Sequence, residues 1–223
     1  MTPTPALTKD FDEWFKRPSW TQGGIGRDDA LFLLAMLQNL NPFTIAEIGT
    51  CSGVSTAVIA WWMKRAGETR TLNSYDIASH CYFDRSIPCG KALSEMLPNW
   101  SQIGLIELHE CDFEEDPSNE PIDFAFVDGS HLHPATAYDI LALSKRMGTR
   151  SWIVMHDIRL MKRWAHFTPL EDYGPQLVFD NWKGEKIDGG RNIGAIRLYD
   201  GCDRDIEEII AIPSPTRSPA PQG

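Results

Sequence analysis

Thirteen residues, Thr44-Ile45-Ala46-Glu47-Ile48-Gly49-Thr50-Cys51-Ser52-Gly53-Val54-Ser55-Thr56, constrain the fold more than any other stretch. They read as a buried strand, a glycine-bent turn and the start of a helix. An acid, Asp76, closes the next apolar run. Strand, glycine turn, helix, strand and acid is the layout of a ligand site at the carboxyl edge of a parallel sheet. A dinucleotide site would want glycine at the middle turn position, where the pyrophosphate touches the backbone. Cys51 occupies that position, and the glycines are spaced Gly49-x-x-x-Gly53. Its Cβ obstructs a pyrophosphate and tolerates a ligand without phosphates. No Gly-x-x-x-x-Gly-Lys-Ser/Thr loop occurs, which argues against ATP or GTP.

From this turn the chain alternates. The patterning predicts strands over 44–48, about 70–76, about 103–109, 122–127 and 151–155, with helices over 53–65, about 86–97 and about 134–147. Such alternation implies parallel pairing through right-handed crossovers. Upstream, a helix from about Asp28 or Asp29 to Asn39 is stopped by Asn41-Pro42. Asp10 to Trp20 is an amphipathic lead-in, suited to capping a cleft or to a dimer contact. Downstream, 176–180 and 193–199 read as two more strands joined by a polar, glycine-rich connection, Lys183 to Asn192. A chain of 223 residues suits one such domain, over 22–211, with a lead-in at 1–21 and a disordered Pro/Ser-rich tail at 212–223.

Charge and cysteine content narrow the setting. A net charge of −10 disfavours nonspecific nucleic-acid or membrane-surface binding, since both need basic patches. No apolar run approaches a membrane span, and the start does not read as a signal peptide. The five scattered cysteines, Cys51, Cys81, Cys89, Cys111 and Cys202, read as reduced thiols in a cytoplasm. Cys81 and Cys89 with His80 have poor zinc spacing and read as ordinary thiols.

With Glu-Ile-Gly-Thr-Cys-Ser-Gly-Val-Ser-Thr at 47–56 and Asp76 in order behind it, the chain resembles the class I S-adenosylmethionine-dependent methyltransferases. The resemblance implies a Rossmann-like, doubly wound α/β sheet of seven strands, mostly parallel with a C-terminal antiparallel hairpin. It also implies a cofactor site made of Glu47, Gly49, Thr50, Cys51, Gly53 and Ser55 in the turn, with Asp76 on the ribose hydroxyls. Asp112 corresponds to the family's acid near the adenine amino group, and equally reads as one solvated member of an acidic loop with Glu114, Glu115 and Asp116. Asp128 completes the set.

Two further strand ends carry chemistry. The fourth strand ends Val127-Asp128-Gly129-Ser130-His131-Leu132-His133, and the fifth ends Met155-His156-Asp157-Ile158. An acid directly after an apolar strand is costly without a cation or donors nearby. Oxygen and imidazole groups converging on one edge suit a divalent ion such as Mg²⁺ or Mn²⁺. This pair of motifs is similar to the bacterial metal-dependent small-molecule O-methyltransferases, which implies metal ligation by Asp128, His156 and Asp157. Consecutive strand residues point to opposite faces, so His156 and Asp157 can meet one ion only if the backbone has left the strand. Asp128, His131 and His156 are the candidate catalytic residues, with His131 or His156 as the base and His133 as a further candidate.

The function implied is methyl transfer from S-adenosylmethionine to a hydroxyl oxygen of a small molecule, assisted by a divalent metal. Alternatives on the same residues are metal-free, histidine-based O- or N-methyl transfer, a hydroxylase-like metal enzyme of the same fold, and a non-catalytic cofactor-binding protein. The expected partner is a hydroxylated small molecule, with no nucleic acid or membrane partner; a homodimer is compatible with the aromatic N-terminus.

Overall fold

The computed structural model describes residues 2–67, 69–159 and 173–213. Glycine and proline set most of the element boundaries. Helix α1 (Pro5–Trp14) has proline in its first turn and Thr4 as its N-cap. Helix α2 (Arg27–Leu40) starts after Gly26 and ends at Asn41 in the left-handed conformation. Strand β1 (Thr44–Ile48) leads through the glycine turn to α3 (Val54–Ala66), which Gly67 terminates at φ +75°. Strand β2 (Thr71–Asp76) is followed by a small hairpin, β3 (His80–Cys81) and β4 (Asp84–Pro88). Then come α4 (Lys91–Met96), β5 (Leu105–Glu110), β6 (Ile122–Val127), α5 (Ala135–Ser144) and β7 (Met147–His156). The chain closes with α6 (Gly174–Asn181), β8 (Lys186–Asp188), β9 (Ile193–Arg197) and α7 (Cys202–Ile210).

The seven-stranded sheet has the order β5-β2-β1-β6-β7-β9-β8. Its first five strands are parallel, and β9 runs antiparallel to both β7 and β8. Side chains alternate between two cores, as the period of a strand demands. Ile45, Phe124, Phe126, Trp152, Val154 and Ala195 join the core of α1, α2 and α3. Ala46, Ile48, Ala125, Val127, Ile153, Met155 and Ile196 face the core of α5, α6 and α7. Both faces are covered, so these strands are nearly continuous apolar runs.

Several elements differ from expectation. The segment 176–180 is helix, not strand. Gly174-Pro175 opens α6, which buries Val178 and Phe179, and three apolar residues in a row carry no period to separate helix from strand. The outer arm of the closing hairpin is β8, inside the stretch read as a connection. It lies at the sheet edge with a polar, largely exposed surface, so no apolar pattern marks it. The helix expected from 86 begins only at Lys91, because residues 84–88 pair in the β3–β4 hairpin. The lead-in is helical from Pro5, earlier than Asp10, and it docks on the core. Phe11 is fully buried, and Trp14 stacks on Trp61 at 5.1 Å. Helix α7 falls where no element had been assigned. The expected tail lies outside the described residues from 214 onward.

Candidate active site

The turn after β1 is held by contacts that only glycine allows. Gly49 has φ +98° and donates to Tyr75 O at 2.8 Å, and a Cβ there would stand 2.1 Å from Asp128 O. Gly53, at φ +85°, packs on Gly90, where a Cβ would come within 2.8 Å of its Cα. The turn therefore touches the end of β6 and the start of α4 directly. Cys51 N donates to Asp76 Oδ2 at 2.8 Å, and Ala78 N donates to Asp76 Oδ1 at 2.9 Å. Asp76 is thus fixed at the rim of the turn by one backbone bond on each oxygen, leaving lone pairs on both.

Three expected turn residues point beneath it instead. Glu47 is fully buried, and its Oε2 accepts from Thr56 Oγ1 and Ser74 Oγ, each at 2.6 Å. Thr50 Oγ1 lies 2.6 Å from Ser74 Oγ, and Ser55 is buried in the first turn of α3. These side chains brace the turn from below, so a ligand above it would meet backbone. Burial raises the Glu47 carboxyl from its ordinary 4.5 to about 7, against hydrogen bonds from Ser74 and Thr56.

An unfolded chain gives up that proton near its ordinary pKa, while the folded one keeps it. Stability from this group therefore falls as pH rises from about 4.5 to about 7 and stays low above, by an amount on the order of 3 kcal/mol. Glu47→Gln retains an acceptor for Thr56 and Ser74. Urea unfolding at about pH 5 and about pH 8 should show the decline flattened in this variant; an unchanged decline would locate its source elsewhere.

Beside the turn, β6 and β7 deliver the acids and histidines. Asp128 and Asp157 side chains are each 11% exposed. Asp157 has φ +57°, so the backbone has left the strand at the residue after His156, and both side chains can turn toward Asp128. His131 Nε2 stands 2.8 Å from Asp157 Oδ2 and 3.8 Å from Asp128 Oδ1. Asp128, His131 and Asp157 each offer one ligand atom, all within 4.8 Å of one another. His156 lies outside this group. Its Nδ1 is 3.1 Å from Asp128 Oδ1 and 3.5 Å from Asp157 Oδ2, and its Nε2 is 3.6 Å from Asp29 Oδ2. The donor set that fits a divalent ion here therefore carries His131 where His156 was expected.

The charges hold one another. Burial would lower the pKa of both histidines, but hydrogen bonds to Asp128 and Asp157 push His131 up to about 10. The Asp128 charge leads the opposing effects that raise His156. Burial disfavours both carboxylates in ionised form, yet His156 and His131 keep Asp128 and Asp157 below the usual range.

The remaining expected residues fall elsewhere. Asp112 is exposed and caps a 3-10 turn, accepting from Glu114 N at 3.0 Å. His133 Nε2 meets Ile212 O at 2.8 Å and does not join the acids. All five cysteines are free, and burial pushes Cys51 and Cys89 up to about 12, so they are neutral thiols. Two site neighbours escaped the sequence reading. Asn192 donates from Nδ2 to Asp157 Oδ1, and Asp29 faces His156. Asn192 sits in the polar connection and Asp29 in a helix start, where ordinary solvated roles mask them.

Residues 46–158, half of the chain, match the family described as methyltransferase domain. The chain belongs to that family. Among solved structures, this methyltransferase is similar to the SAH-bound Podospora anserina methyltransferase PaMTH1, with TM-score 0.60 and 14% identity over 90% of each chain. It is also similar to the Streptomyces achromogenes O-methyltransferase TomG, which is involved in tomaymycin synthesis and was solved with SAM. There the TM-score is 0.57 at 13% identity, covering 89% of this chain and 92% of that one. A Bacillus cereus O-methyltransferase in complex with SAH gives 0.56 at 13% identity, covering 87% and 92%. At such identities the likeness establishes the fold. No curated protein matches the sequence. No helix among the described residues is long and apolar enough to cross a membrane.

Proposed function

We propose that this methyltransferase moves the sulfonium methyl of S-adenosylmethionine to a hydroxyl oxygen of a small molecule. One observation carries the reading: the glycine turn and the acid–histidine cluster are in van der Waals contact, Gly49 lying against Asp128 O. A ligand cradled by the turn, with its ribose at Asp76, has its reactive end beside Asp128, His131 and Asp157. The Cys51 side chain in the turn suits a cofactor without a pyrophosphate. Holding nucleophile and methyl in line supplies several kcal/mol of the barrier.

Two carboxylates and an imidazole fit Mg²⁺ or Mn²⁺, which when bound would act as a Lewis acid toward the acceptor hydroxyl and lower its pKa. Asn192 and His156 hold the two carboxylates in place. In this donor set His131 would serve as a ligand, so its lone pair would not be free to act as a base. In the metal-free protein, hydrogen bonds to Asp128 and Asp157 keep it protonated at neutral pH. A second reading has its own observation. The 2.8 Å His131–Asp157 contact is also the geometry of an acid–base dyad that needs no metal.

Titrating S-adenosylmethionine into chelator-treated protein, with and without Mg²⁺, tests the proposal. Micromolar binding in chelator is expected, with turnover of hydroxylated acceptors only when metal is restored. Full turnover in chelator would select the dyad. Absence of binding in both conditions would overturn the proposal. Asp76→Ala should weaken cofactor binding by roughly tenfold or more, through loss of a charged acceptor, and unchanged affinity would remove Asp76 from the ribose.

A further inference from the structure

We propose that Asp29 is a positioning residue of this site, holding the His156 imidazole from the side opposite the two strand-end acids. The inference rests on the metal reading above. His156 is the last residue of β7 and is almost fully buried, with both ring nitrogens facing carboxylates. Nδ1 meets Asp128 at 3.1 Å and Asp157 at 3.5 Å, while Asp29 meets Nε2 at 3.6 Å, an ion-pair distance. With Asp29 in place the ring is fixed at both ends. Without it, Nε2 loses the carboxylate that faces it, and the ring is free to turn away from Asp128.

Asp29 also caps its own helix. It sits in the first turn of α2, where its Oδ2 accepts from Gly26 N at 3.4 Å. Its neighbour Asp28 supplies the same helix end with negative charge, at the surface, paired with Arg27 at 3.0 Å and Arg191 at 2.6 Å. Capping does not require this second acid to be driven inward. Asp29 is driven inward nonetheless: its side chain is 14% exposed, and its Oδ1 is buried with no hydrogen-bond partner among the described residues. A buried carboxylate oxygen without a partner opposes folding and calls for a role. The contact of Oδ2 with His156 gives the buried carboxylate as a whole that role, though not Oδ1 itself, and ties α2 to the sheet edge where Asp128 and Asp157 stand.

Partners that orient metal-ligating groups typically change metal affinity 10–100-fold when removed. Mn²⁺ titrated calorimetrically into metal-free protein reads this without turnover. Asp29→Asn keeps an acceptor for Gly26 N–H while losing the charge, and is expected to weaken Mn²⁺ binding about tenfold with S-adenosylmethionine affinity unchanged. Asp28→Asn should leave both unchanged, and Asp29→Glu should restore most of the loss. Because Asp29 acts through His156, Asp29→Asn should add nothing in a His156→Gln background. Equal Mn²⁺ affinity in wild type and Asp29→Asn, or additive losses in the double variant, would overturn the proposal. Failure of the wild type to take up Mn²⁺ would instead overturn the metal reading, and this inference with it.

Discussion

Asp157→Ala is expected to lower turnover by a factor on the order of 10²–10³ while leaving S-adenosylmethionine affinity within about twofold. Asp157 is the hub of the cluster: His131 reaches it at 2.8 Å, His156 at 3.5 Å, and Asn192 donates to its other oxygen. Its removal leaves His131 facing Asp128 alone and His156 held between Asp128 and Asp29. The acceptor hydroxyl then loses a carboxylate of the proposed metal site or, in the dyad reading, the partner that orients its base. The glycine turn and Asp76, which would hold the cofactor, do not contact Asp157 by hydrogen bonds. Alanine at φ +57° carries backbone strain that aspartate and asparagine tolerate better, so Asp157→Asn serves as the companion variant. Release of S-adenosylhomocysteine with a hydroxylated acceptor measures turnover, and calorimetry measures the cofactor. Full rate for Asp157→Asn in chelator would sink both the metal and the dyad readings.

Gly49→Ala is expected to cost on the order of 4 kcal/mol, combining left-handed backbone strain with a steric clash. The new Cβ would lie 2.1 Å from Asp128 O and 2.7 Å from Gly129 N, both backbone atoms that no rotamer can move. Retreat of the β6 end would break the 2.8 Å bond from Asp128 N to Ile48 O, which joins β1 to β6 at the site. Against a typical total stability of about 5–15 kcal/mol, such a loss lowers the melting temperature by roughly 10 °C. Cofactor binding should be lost along with it. Gly67→Ala is the control, because Gly67 has φ +75° with no heavy atom within 4 Å of the added carbon. It isolates the strain at about 1 kcal/mol. If Gly49→Ala unfolds no more easily than Gly67→Ala, the close approach of turn and cluster is wrong.

Legibility followed burial. Strands β1 and β6 were readable to the residue because both faces are covered, which makes the segments mostly apolar. At the sheet edge that signal vanishes, and β8 was invisible for the same reason. The helix at Gly174–Asn181 was taken for a strand because Leu177-Val178-Phe179 is too short a run to show a period. Its opening Gly174-Pro175 was the usable clue. Asp128, His131 and Asp157 were legible since the carboxyl ends of parallel strands collect ligand groups whatever the side-chain detail.

Sequence by itself determined the alternating α/β class, the position of the glycine turn, and which strand ends carry acids and histidines. These are local properties: apolar period, glycine spacing, and the residue that follows a buried run. Only the tertiary structure decided which of those groups meet. It turned Glu47, Thr50 and Ser55 beneath the turn, grouped His131 with Asp128 and Asp157, and set His156 between Asp128 and Asp29. Those outcomes depend on one left-handed residue after β7 and on contacts between elements far apart along the chain. Neither leaves a mark in local pattern, because contact at long range is settled by packing and not by the neighbours in sequence.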